Sequence, residues 1–162
     1  MTDTKQPATH GVTIKNLKVS DFASQETDCF EASVYIDGVR KGVASNAGHG
    51  GSNNYHPRAL YDELNAIAKT LPPCDMTKFG ISERLEQDPD ILIGELVEAE
   101  ITRKKIARMV TTKTWFRRPG EKYQLGQWIY LKVKTSPESI ANLQIKYGAE
   151  TVILGHNCHT LD

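Results

Sequence analysis

The chain has no long apolar run, few cysteines, few aromatics and no surplus of either charge, and each shortage removes a class of protein. No stretch approaches the ~18 consecutive apolar residues of a transmembrane helix, so no membrane partner is expected. Only three cysteines occur in 162 residues, Cys29, Cys74 and Cys158, odd in number and far apart. A secreted disulfide scaffold needs a denser, even set, so a reducing cytoplasm is the expected setting. Residues 1–10 are polar, without the apolar core of a signal peptide, and read as a disordered lead-in. Lys plus Arg equals Asp plus Glu at 20 each, so no global field draws the chain to nucleic acid or to an anionic bilayer.

What is present suffices for an ordinary globular core: 39% of residues are hydrophobic. The pattern predicts an α+β fold with a largely antiparallel sheet, two hairpins and three helices in the order β-ββ-α-α-ββ-α-β. Residues 11–157 read as a single domain and 158–162 as a frayed tail. Val12, Ile14, Leu17 and Val19 suggest a first strand with broken alternation. Phe30, Ala32, Val34 and Ile36 alternate cleanly with polar neighbours, and Asp37-Gly38 is a hairpin dipeptide. The return strand, Val39 to Ser45, is expected to set Val39 opposite Ile36 and Val43 opposite Ala32.

A helix is predicted to start at Pro57, with Leu60, Leu64, Ile67, Ala68 and Leu71 on one stripe, and to stop at Pro72-Pro73. Residues 74–87 read as irregular. A second helix covers Pro89 to about Met109. Its apolar face changes side near Arg103, which implies a bend or different partners for its two halves. Thr111–Arg117 and Tyr123–Lys134 form the second predicted hairpin, joined through Pro119-Gly120 in a type II turn. Ser136-Pro137-Glu138 opens a third helix, Gly148 closes it, and Thr151–Leu154 reads as a buried last strand.

Against this background Ser45–Pro57 stands out, with three glycines, two histidines and three asparagines. Crowded glycine amides ahead of a helix start make an anion cradle. The candidate ligand residues here are Gly48, His49, Gly50, Gly51, Ser52, Asn53, Asn54 and His56. Neither nucleotide-binding glycine fingerprint is present. The duller alternative is a strand-to-helix connection in which the glycines serve unusual φ values.

A second candidate is the basic run Arg103, Lys104, Lys105, Arg108, Lys113, Arg117, Arg118 and Lys122, opposed only by Glu121. Lys113, Trp115 and Arg117 fall at period two, so one strand face shows cation, aromatic, cation. Trp128, Tyr130 and Lys132 do the same nearby, and such faces stack bases and hold phosphates. The competing reading is a solvated face with core tryptophans, its charge offset by the seven acids of residues 83–100. His156-Asn157-Cys158-His159 lacks zinc-finger spacing, so no metal and no cofactor are expected. No nucleophile elbow occurs, and no catalytic residue is assigned.

The stretch Asn46–Pro57, the Lys113-Thr114-Trp115-Phe116 run, the Trp/Tyr strand and Tyr147-Gly148 together resemble small uncharacterised proteins of tailed bacteriophages, over most of residues 28–157. The resemblance implies a setting, an accessory protein made inside a bacterium, and no activity or site residue. Such proteins often inhibit host enzymes or host immunity. The expected function is thus a non-enzymatic modulator of host defence or metabolism that binds a phosphorylated nucleotide or a host defence protein. A partner subunit closing such a site is compatible with this reading. The alternatives are a small phosphoester-acting enzyme using His49 or His56, and a nucleic-acid-binding module.

Overall fold

The computed structural model describes residues 10–75, 82 and 84–161. Its architecture is α+β with antiparallel sheets; the predicted elements occur in order, with short strands added. Packing divides the chain into two compact units, one ending at Glu98 and the other beginning at Ala99.

The first unit holds a four-stranded sheet in the order β1 (Val12–Val19), β2 (Cys29–Ile36), β3 (Val39–Ala47), β4 (Asn54–His56). The broken alternation of β1 is a bulge between Lys15 and Lys18, where Asn16 takes φ +54°. The extra residue returns Leu17 and Val19 to the core side after Val12 and Ile14. Asp37 and Gly38 both take positive φ, as the tight hairpin requires.

Val39 does face Ile36, but Val43 faces Ser33 rather than Ala32. A bulge between Arg40 and Gly42 inserts one residue, so the core side receives Gly42, Ala44 and Asn46. α1 (Arg58–Ala68) buries Leu60, Leu64 and Ala68, and Leu71 just beyond it is buried too; of the predicted stripe only Ile67 is partly exposed. Its start differs from expectation. Pro57 is the N-cap residue, and the three residues before it pair with β3 as β4.

Within the segment read as irregular, β5 (Cys74–Asp75) pairs with β6 (Arg84–Leu85); residues 76–81 and 83 of that segment lie outside the described residues. α2 (Pro89–Met109) has the predicted bounds. It buries Leu92, Ile93 and Val97 before the unit boundary and Ile106 after it. These buried positions fall on either side of the unit boundary.

In the second unit β7 (Thr114–Arg117) lies between β8 (Ile129–Leu131) and β9 (Val152–Ile153). Phe116, Leu143 and Ile153 form its core, with Ile129, Ile140 and Tyr147 against them. α3 (Pro137–Tyr147) begins with a capping box in which Ser136 and Ser139 bond reciprocally, and Gly148 is its C-cap at φ +102°.

The second hairpin is shorter than predicted. Gly120 takes the positive φ of a type II turn. From Arg118 to Trp128, however, side chains replace the strand ladder: Tyr123 Oη accepts from Arg118 N–H, and Gln127 Oε1 accepts from Gln124 N–H. Nor is the tail frayed. Asn157 Oδ1 accepts from Ile153 N–H at 2.6 Å, its amide donates to the Thr151 carbonyl, and the Trp128 indole donates to the Leu161 carbonyl. Among the described residues no helix is long and apolar enough to cross a membrane.

Candidate functional site

The glycine-rich turn, Gly48–Asn53, is organised by one buried side chain. Asn46 lies on the core side of β3, 7% exposed. Its Oδ1 accepts from Gly48 N–H and from the Thr27 hydroxyl, both at 2.8 Å. Its amide donates to the Gly51 carbonyl and to Asn53 Oδ1. The Gly48 carbonyl in turn accepts from the amides of Gln25, Glu26 and Thr27, so the turn is zipped onto the β1–β2 connection. The backbone of this turn favours glycine throughout, and packing requires it at Gly48. Gly48, Gly50 and Gly51 all take φ near +85°, and a methyl on Gly48 would run into the Ala23 carbonyl oxygen.

Three backbone donors of the expected anion cradle are therefore engaged within the chain. Gly48 N–H serves Asn46, Gly50 N–H serves Thr27, and Asn53 N–H serves Asp90 of α2. The helix dipole is not added to the glycine amides either, because the turn and the start of α1 lie at opposite ends of β4. Beside the turn runs a cleft of about 240 Å³, whose charged lining is Asp28 and Asp90 with no cation. Its electrostatic sign is unfavourable for a phosphate. Tyr55 donates to Asp90 Oδ1 at 2.7 Å. Burial, and then this bond to a carboxylate, push the Tyr55 phenol far above its ordinary 10.0, so it stays protonated as a donor.

The two histidines do not meet in this cleft. His49 is exposed, with Nδ1 3.4 Å from Gln25 Oε1. His56 lies on β4 opposite Val43, and Asn54 opposite Ser45, on the outward face of the sheet. Ser52 is exposed. Among the described residues no group of three His, Cys, Asp or Glu side chains is placed to hold a metal ion.

The second candidate is assembled as the spacing suggested, on the outward face of β7 and β8. The Lys113 ammonium lies 4.0 Å from the Tyr130 ring centroid and 5.2 Å from that of Trp115. The Arg117 guanidinium lies 4.2 Å from the Trp128 ring. Trp115 and Tyr130, directly paired across the strands, have centroids 4.9 Å apart. Trp115 is half-buried and donates to the Met109 carbonyl, whereas Tyr130 is 42% exposed. Other members of the basic run are drawn into local pairs. Arg103 and Lys104 reach Glu100, and Arg118 reaches Glu121. The Arg103 guanidinium holds the Glu100 carboxyl below the usual carboxylate range.

Sequence reading missed Asn46, Thr27, Tyr55 and Asp90 as the frame of the turn. Only Asn46 carried a signal, as a polar residue at a core-side position once the bulge is counted. No protein-family model matches the chain, and no curated protein or solved structure matches it.

Proposed function

We propose that the chain is a non-enzymatic binding protein, and that its ligand is a phosphorylated nucleotide held on the Lys113–Trp115–Arg117 face. The observation that carries this reading is the cation–aromatic ladder itself. Stacking on Tyr130 and Trp128 holds the two cations in place, so little side-chain entropy remains to be lost on binding. Lys113 immediately precedes β7 and Arg117 ends it, four residues apart or about 13 Å along extended chain, so a ligand touching both is larger than inorganic phosphate. Among the rings of this face Tyr130 is the most exposed and is the one placed to meet a base.

In this reading the glycine turn is scaffold, and catalysis is disfavoured because His49 stands exposed beside Gln25 while His56 lies on the outward face of β4, so the two histidines do not converge. The bacteriophage resemblance supplies the proposed setting: a bacterial cytoplasm, where sequestering a nucleotide would blunt a host defence signal. Titration calorimetry against cyclic and linear nucleotides tests it. Heat is expected with at least one member and is expected to vanish in Lys113→Ala/Tyr130→Ala. No heat from any nucleotide overturns the nucleotide reading and leaves a host protein as the partner for this face.

A further inference from the structure

The outward face of the four-stranded sheet carries a groove that the preceding reading does not use. Two bulges flank β2 there, one at Asn16 of β1 and one between Arg40 and Gly42 of β3. Bulges bend a strand and re-aim its side chains. Between these two lies a depression of about 410 Å³ lined by Asn16, Lys18, Glu31, Ser33, Arg40 and Val43. Asn16 holds a positive φ without being glycine, a backbone cost met more often at functional positions than elsewhere.

Charge and donors on this face point the same way. Lys15 pairs with Ser33 across the ladder, Lys18 with Glu31, and Tyr35 with Arg40. Three cations thus surround Ser33 against one carboxylate, Glu31, which Lys18 contacts at 3.3 Å. Lys15 is steadied over the Tyr35 ring at 4.6 Å. The same transverse row runs on through Val43 to His56. Among the described residues the side chains of Asn16, Ser33 and Arg40 have no hydrogen-bond partner. The face carries more cations than carboxylates, the reverse of the acidic cleft on the other side of β3.

We propose that this groove is a binding site for a phosphate-bearing small molecule. The phosphate sits among Arg40, Ser33 and Asn16, with Lys15 beside them, and the remainder of the ligand lies along Val43 toward His56. The site lies wholly in the first unit and is independent of the Lys113–Arg117 face.

Pyrophosphate is the probe, followed by amide chemical shifts in the full chain. Exposed ion pairs contribute little singly, so saturation is expected only in the millimolar range, up to about 10 mM. Shifts are expected to centre on Asn16, Ser33, Arg40 and His56. Lys15→Ala/Arg40→Ala is expected to weaken binding about tenfold or more, with unchanged thermal unfolding because both side chains are exposed. Lys113→Ala/Arg117→Ala is expected to leave these shifts as they are, which separates this site from the nucleotide face. Absence of localised shifts, or equal binding by the Lys15/Arg40 variant, overturns the proposal.

Discussion

Asn46 makes four hydrogen bonds from a position 7% exposed, and through them the glycine turn, Thr27 and Asn53 hold one shape. The glycines differ in how much that shape depends on them. Gly48→Ala has both a positive φ and a backbone oxygen in its way, and is expected to cost more than about 2 kcal/mol. Gly51→Ala has the positive φ but open space, and about 1 kcal/mol is expected. Urea denaturation of both variants checks this, and equal losses would remove the bracing role assigned to Gly48. Tyr55 gives a pH signature. Its phenol is raised in the folded state by burial and by Asp90, so its contribution is complete below pH 10 and is lost as pH climbs above the unfolded value. Tyr55→Phe is expected to lower stability by about 1–2 kcal/mol at neutral pH. It is also expected to flatten the decline of stability above about pH 10, seen as a converging pair of denaturation curves.

Local signals specify the helices well. The Ser136 cap, Pro137 and Gly148 sit where α3 begins and ends, because capping bonds join residues only three or four apart. α2 likewise has its predicted bounds, yet it carries Gly94 in its interior with nothing within 4 Å of an added methyl. Gly94→Ala is therefore expected to stabilise the protein by about 0.5–1 kcal/mol, measured by thermal or urea unfolding. Strands were harder to read from local sequence. β4 is three residues long and has no period of its own; its ladder to β3 makes it a strand. The bulge in β3 moved Val43 from Ala32 to Ser33, since one inserted residue reverses every side chain beyond it.

For the molecule as a whole, equal numbers of acids and bases argue against polyanion binding. The basic run does not alter this, because Arg103, Lys104 and Arg118 are paired with neighbouring glutamates. No retardation of a short DNA duplex is expected at physiological salt with micromolar protein, and a steep salt-dependent shift in a gel assay would revive the nucleic-acid alternative. The cation–aromatic face was visible in advance because Lys113, Trp115 and Arg117 recur at period two across the start and length of β7. Its partners Tyr130 and Trp128 lie more than ten residues away, and their contact depends on the register of β7 with β8.

The amino-acid sequence by itself determined the α+β class, the Asp37-Gly38 hairpin, the stripe of α1 and both ends of α2 and α3, all of which rest on periodicity or on bonds between near neighbours. Tertiary structure alone decided that Asn46 and Thr27 take up the amides of Gly48 and Gly50, that His56 stands on the outer sheet face, and that Asn16, Ser33 and Arg40 meet around one groove. Those outcomes depend on hydrogen bonds and strand registers between distant residues, which the spacing of side chains along the chain does not encode.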